Sequence, residues 1–201
     1  IPEPPRDQPA DVAAVGARQP IWGLLRAHPR FAAFSAVAAL WNLSIMVAGP
    51  FFSVYLVRNL GASPTQIGLL AAANSLFNIG GQRIWGRIND YRGATWVMAL
   101  TGLLIPLIPA FYAIAPNPWW LIAVECFSGF MWSGYSLASF NLMLGLAPAE
   151  QRARFSAVYQ IAVFSASFVG PLLGAVLVGI WDIRLVFWIS TLAFLAAAVF
   201  T

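Results

Sequence analysis

The sequence predicts an all-α membrane protein of six transmembrane helices, and three observations carry that reading. The first is spacing: seven acids and eleven basic residues, all arginine, leave uncharged stretches at 31–57, 59–82, 93–124, 126–149, 155–181 and 185–201. A spanning helix needs roughly 20 mostly apolar residues to cross a hydrocarbon core of about 30 Å. Only the last stretch sits at the lower edge of that length. The second is composition, 60% hydrophobic and 9% charged, against about 25% charged in soluble domains. The third is the position of the arginines at the ends of the stretches, where membrane topology places them. A soluble fold would need a polar stripe on each water-facing helix.

Arginine placement also predicts orientation. Counted from the amino terminus, one side of the membrane receives Arg6, Arg18, Arg26, Arg30, Arg83, Arg87, Arg92, Arg152 and Arg154, and the other only Arg58 and Arg184. The positive-inside rule then puts the amino terminus in the cytoplasm of a multi-pass cell-membrane protein. The same rule accounts for the net charge of +4 without a nucleic-acid partner. Trp119, Trp120 and Trp181 fall at the expected outer belt of aromatics, and Trp85, Tyr91 and Trp96 at the inner one. With one cysteine and one histidine there is no disulfide framework, no metal-ligand cluster and no Cys–His or Ser–His–Asp set. The expectation is a protein that is not an enzyme and uses no cofactor.

Residues 1–30 differ in kind. The first twenty hold prolines and acids with no apolar run, the composition of a cytoplasmic linker. Residues 21–30 combine Trp22, Leu24 and Leu25 with Arg26 and Arg30, as in a short interfacial helix. The isoleucine start and the apolar end read as a fragment of a longer chain. The bundle itself occupies residues 31–201.

In helix one, Pro50 removes a ladder bond and predicts a kink. Helix two opens on Ser63-Pro64-Thr65-Gln66, a serine cap with proline first and glutamine three after the cap. Helix three carries Pro106 and Pro109 and turns back through Pro116-Asn117-Pro118. Helix five sets Ala162, Ala166, Gly170 and Gly174 four apart, a spacing that lets a second backbone approach closely.

The loop Gly86-Arg87-Ile88-Asn89-Asp90-Tyr91-Arg92-Gly93 resembles the G-x-L-a-D-r-x-G signature of the major facilitator superfamily. In that family it follows the second helix of each six-helix half. Tyr91 and Ala94 stand where basic residues are usual, a degeneracy that resembles the second half more than the first. Pro148-Ala149-Glu150-Gln151-Arg152, Gly170-Pro171-Leu172-Leu173-Gly174-Ala175 and Trp181-Asp182-Ile183-Arg184 resemble later loops and the fifth helix of such a half. The resemblance implies two inverted three-helix repeats, a missing amino-terminal six-helix half as partner, and a small-molecule substrate. It also implies a gating role for Gly86, Asp90 and Gly93: Gly86 for close helix approach, Asp90 as an acid at a helix amino terminus, Gly93 for the turn.

Candidate path residues come from the residues themselves. Glu125 is the one acid well inside a crossing, roughly 9 Å along the helix from Trp119 at 1.5 Å per residue. An ionisable group there costs about 2.5–3.5 kcal/mol on insertion scales. Glu125, Ser128, Trp132, Ser136 and Ser139, with Tyr135 adjoining, form one polar stripe on helix four. Two readings stand: a cavity-lining carboxyl that takes a proton or a cationic group, or a carboxyl tied to a neighbouring helix. Asn74 and Asn78, one turn apart on helix two, either line the path or glue helices at around 0.6 kcal/mol per bond. Asn42, beside Trp41, joins the candidates, with Tyr159 and Gln160 behind it. Trp132 reads more as packing than as a clamp.

The function these features predict is secondary transport of a small solute by alternating access. A self-assembling six-helix transporter or channel, and a non-transporting membrane scaffold, are the alternatives. Membrane lipid is a partner in each.

Overall fold

The computed structural model describes residues 20–198, and every regular element among them is helical. Residues 1–19, which hold nearly all of the expected linker, lie outside the described residues. Helix α1 (Ile21–Ala27) is the short helix expected before the first crossing. It buries Leu24 against a cluster that includes Phe31, Met143 and Phe155, while Trp22 stays exposed.

The first crossing is two helices, α2 (Pro29–Ala48) and α3 (Phe51–Arg58), interrupted at Gly49-Pro50. Pro50 keeps helical angles, φ −65° and ψ −24°, so the missing N–H breaks the ladder without turning the chain away. Next, α4 (Pro64–Arg92) opens on the predicted capping box: Ser63 Oγ accepts from the Gln66 N–H at 3.3 Å, and the Ser63 N–H donates to Gln66 Oε1 at 2.8 Å. It ends at Gly93, whose φ of +83° is a conformation that glycine adopts freely.

The third crossing is again split, into α5 (Ala94–Leu104) and α6 (Leu107–Ala113), at Ile105-Pro106. Pro109 lies inside α6 and ends nothing. In the turn that follows, Asn117 Oδ1 accepts the Trp120 N–H at 3.0 Å and starts α7 (Trp120–Leu146). A 3-10 turn (Ala149–Gln151) leads into α8 (Arg152–Ile180), which passes through Pro171 unbroken. Asp182 Oδ1 accepts the Arg184 N–H at 2.7 Å at the entry to α9 (Ile183–Ala198).

Three segments are long and apolar enough to cross a membrane by length and composition: Pro29–Arg58, Ala94–Ala113 and Ala149–Ile180. Helices α4 and α7 have the length, at 29 and 27 residues, and carry the amides, serines and carboxyl of the candidate path. On α8 the exposed side chains Phe164, Phe168, Leu172, Val176 and Ile180 recur every fourth residue. Such a stripe suits acyl chains and not water.

Packing is most extensive between α4 and α7 and between α2 and α8. Next come α5 on α7, α9 on α2 and α9 on α6. Lipid tails are as apolar as leucine, so close van der Waals approach has to replace the hydrophobic driving force between these helices. Glycines supply it. A Cβ on Gly129 would overlap the Asn74 carbonyl, one on Gly134 the Trp85 ring, and one on Gly174 the Val47 carbonyl. Gly170 meets Met46 in the same way, so the α8 glycines do bring a second backbone close.

Trp85 requires a correction. It is not a belt residue: it is 3% exposed and donates its indole N–H to the Phe130 carbonyl at 2.8 Å. Helix α4 continues for two turns past it, and that extension, rather than Trp85, forms the exposed end with Tyr91.

Candidate functional site

The α7 stripe does not face one path. Two cavities divide it, and they share Trp132. The first, about 290 Å³, lies among α3, α4, α6 and α7 and has Ser53, Tyr112, Glu125 and Ser128 on its wall. The Tyr112 hydroxyl donates to Glu125 Oε1, and Asn74 Nδ2 donates to Glu125 Oε2 at 2.7 Å. Asn74 Nδ2 also lies 3.3 Å from Ser128 Oγ and 3.4 Å from the Glu125 carbonyl. The two readings of Glu125 therefore coincide: the carboxyl is tied to neighbouring helices and still lines a cavity. Both donors are neutral, and the pair also suits a carboxyl protonated on Oε1: Asn74 still donates to Oε2, and the Tyr112 hydroxyl can accept the new O–H.

Asn78 donates to the Gly129 carbonyl and accepts from Gln82, each at 3.3 Å. The first of these bonds crosses the α4–α7 seam, as does the bond from Asn74 to the carboxyl.

The second cavity, about 360 Å³, lies among α2, α7 and α8, with Trp41, Asn42, Ser136, Tyr159 and Gln160 on its wall. Asn42 Oδ1 accepts from Ser167 Oγ at 2.8 Å. Ser139 and Tyr159 share a hydrogen bond at 2.8 Å. Trp41, 1% exposed, stacks on Tyr135 with ring centroids 3.9 Å apart and meets Trp132 edge-on at 5.5 Å. Trp132 thus packs, as expected, and also forms the wall between the cavities. The Trp41 indole N–H is buried with no partner among the described residues, a condition that costs about 1–3 kcal/mol.

The loop residues lie outside both cavity walls. Gly93 makes the predicted turn. Asp90, however, is exposed and caps no helix amino terminus among the described residues: the residue before α5 is Gly93, and no side chain caps there. A Cβ on Gly86 would meet nothing within 4 Å, so the close approach expected of it is made to none of the described residues. The physical reason is shared: in the last turns of α4 Ile88 packs on the core, while the face that holds Arg87, Asp90, Tyr91 and Arg92 is exposed.

Tyr112 is the partner of Glu125 that the sequence left unmarked. It sits on the short helix after the Pro106 break, and only the return of the chain through α7 brings it to Glu125. Tyr55, one of the polar residues that the first crossing offers, is fully buried and accepts from Arg184 Nε at 3.0 Å beneath the guanidinium, a contact spanning the first and last crossings.

Comparison with known proteins follows the same outline. A family model described as Major Facilitator Superfamily matches residues 31–201. The multi-drug resistance efflux pump PmrA homolog of Lactococcus lactis is 29% identical over 138 residues, 67% of this chain and 34% of the relative. PmrA of Streptococcus pneumoniae is 26% identical over 163 residues, 79% of this chain and 40% of the relative. The staphyloferrin B transporter of Staphylococcus aureus is 29% identical over 164 residues, 79% of this chain and 37% of the relative. The chain thus spans well under half the length of these relatives. With the family match running from the start of α2 to the end of α9, the chain belongs to the Major Facilitator Superfamily.

Proposed function

We propose that this chain is the carboxy-terminal six-helix half of a secondary transporter that moves a small solute by alternating access. It works with an amino-terminal six-helix half. The observation that carries the reading is Glu125: a membrane-embedded carboxyl on a cavity wall, held by two neutral donors on two other helices. A carboxyl so placed takes up and releases a proton, or holds a cationic group, as the cavity opens to one side and then the other.

Two inverted three-helix repeats, α2–α6 and α7–α9, underlie the half. Their exchange turns the α4–α7 pair into the α8–α2 pair and the α5–α7 pair into the α9–α2 pair, and these are the leading contacts of the fold. That correspondence supports the repeat. The arginine asymmetry supports a cytoplasmic amino terminus in the cell membrane. Asp90 and Gly86, exposed or unopposed at the end of α4, fit a gate whose other face belongs to the partner half.

The test is transport by the full-length protein in proteoliposomes. Glu125→Gln keeps size and hydrogen bonding while removing titration. Proton-driven accumulation should stop while exchange down a gradient survives; if Glu125 holds a cationic group, affinity should fall at every pH. Accumulation, affinity and pH dependence all equal to wild type would make Glu125 structural. For the gate, Asp90→Asn should slow transport at normal membrane abundance, and an unchanged rate returns Asp90 to a solvated loop acid. Transport by residues 1–201 alone would favour self-assembly of two copies.

A further inference from the structure

Helix α1 has only seven residues, leaves α2 at a bend on His28 and has no side-chain cap. A helix of that length does not hold itself together in water; tertiary contacts hold this one. Its Leu24, 2% exposed, enters a cluster with Phe31 of α2, Met143 near the end of α7 and Phe155 at the start of α8. The His28 ring meets Phe155 edge-on with centroids 5.0 Å apart, and Phe31 meets the same ring at 4.5 Å. The start of α1–α2 is therefore fixed against the start of α8.

That placement assembles a surface from two distant parts of the chain. Trp22 and Arg26 are one turn apart on α1, on a face roughly 200° from Leu24. Trp22 is 75% exposed, Ile21 beside it 45%, and Arg26 is exposed as well. Arg30 adjoins Phe31, Arg152 lies one turn before Phe155, and both are exposed. Three guanidinium groups thus flank the buried Phe31–Phe155 pair. Glu150, exposed on the 3-10 turn, offsets at most one of them. A guanidinium binds phosphate oxygens through two parallel N–H donors, and an exposed indole suits the headgroup level of a bilayer. A free anion would use the arginines and leave Trp22 and Ile21 in water. A lipid phosphate with its chains uses both.

We infer that α1 and the start of α8 form a docking surface for an anionic phospholipid of the cytoplasmic leaflet: Arg26, Arg30 and Arg152 take the phosphate, and Trp22 and Ile21 lie against the chain below it. The leaflet rests on the orientation proposed above, whereas the binding requires neither that orientation nor transport. A phosphate between Arg30 of α2 and Arg152 of α8 ties together the inner ends of the two helices that meet at Gly170 and Gly174. Bound lipid should therefore stabilise the fold.

The experiment titrates three probes into the full-length protein in a neutral detergent: dioleoylphosphatidylglycerol, dioleoylphosphatidylcholine, and glycerol 1-phosphate as a headgroup without chains. Apparent affinity is read from the unfolding midpoint against probe concentration. Phosphatidylglycerol should raise the midpoint saturably, and the other two should do so at least tenfold less tightly. Each arginine near the surface contributes about fivefold, so Arg26→Gln with Arg30→Gln should weaken phosphatidylglycerol tenfold or more. Arg30→Gln with Arg152→Gln should do the same, so one misfolded variant does not decide the result. Arg87→Gln with Arg92→Gln removes as much charge from the end of α4 and should leave the affinity within about twofold. Equal loss in that last variant would show diffuse surface charge, and glycerol 1-phosphate as effective as the lipid would show a free-anion site; either overturns the inference. So would an affinity insensitive to both patch variants. A lipid effect seen only after Glu3→Gln, Asp7→Asn and Asp11→Asn would overturn it too, by making the acidic leading segment the occupant. A protein that shows the lipid preference and transports nothing would count against the transporter reading and leave the surface standing.

Discussion

The α4–α7 seam and the α2–α8 seam solve the same problem with different chemistry. Each brings two long helices to backbone contact over glycine, at Gly129 against Asn74 in one and at Gly170 and Gly174 against Met46 and Val47 in the other. Over that contact the first seam adds polar bonds: Asn74 to Glu125 and Ser128, Asn78 to the Gly129 carbonyl, and Trp85 to the Phe130 carbonyl. Among the described residues the second adds one, Ser167 to Asn42. Hydrogen bonds fix the axial register of a helix pair, whereas a smooth glycine face allows small sliding. The α4–α7 pair is therefore expected to be the more rigid of the two, and the α2–α8 pair, beside the larger cavity, the freer to shift.

The largest expected effect tests what the seams share. Gly129→Ala and Gly174→Ala each place a Cβ on a backbone carbonyl of the opposite helix, and backbone cannot rotate away. Both should cost about 3 kcal/mol, the upper end of the usual range for overpacking, seen as lost folded yield in detergent. Gly80→Ala, one residue from the seam with nothing within 4 Å, should be neutral or stabilising by up to about 1 kcal/mol. A tolerated Gly174→Ala would mean that the α2–α8 contact is already loose.

A smaller effect tests where the seams differ. Asn74→Leu removes the donor to Glu125 Oε2 and to Ser128, and should lower stability by about 1.5–3 kcal/mol because its main partner is a carboxyl. Ser167→Ala removes the single bond of the other seam and should cost about 0.6 kcal/mol. Thermal unfolding of each variant in one detergent measures both. Equal losses would erase the contrast between a locked seam and a smooth one.

The sequence showed what depends on neighbours a few residues away. The Ser63–Gln66 box, the interruption at Pro50, the Gly93 turn and the placement of Glu125 on a helix face all follow from local rules, and the structure carries each. What depends on helix rotation stayed hidden. Gly129 and Gly134 are five apart, off the fourfold spacing that revealed α8, so the tighter seam went unread. Trp85 looked like a belt residue because it lies between arginines, and only a second helix at its face shows that it is buried. The single stripe became two cavities because Trp41, on another helix, meets Trp132 in its middle. Asp90 and Gly86 were read from a family signature, and their partners are not among the described residues.

The smallest effect concerns the ends of the same two seams. Under the repeat, α4 and α8 are equivalent helices, yet they begin differently. Helix α4 begins with a reciprocal capping box, while α8 begins from a 3-10 turn with Gln151 before it and no side-chain cap. Four N–H groups at a helix start lack intrahelical partners, and Ser63 Oγ satisfies one of them. Ser63→Ala should therefore cost about 1 kcal/mol, and Gln151→Ala, which removes no cap, within about 0.5 kcal/mol of nothing. Because Ser63 is exposed and Gln66 only partly buried, the loss should be local. Amide exchange should quicken over the first turn of α4, at Gln66 and Ile67, and stay unchanged at Asn74 and beyond, where the polar seam holds the helix. Faster exchange reaching Asn74 would show that the cap, and not the seam, keeps α4 in register, and the rigid half of the comparison would then need another cause.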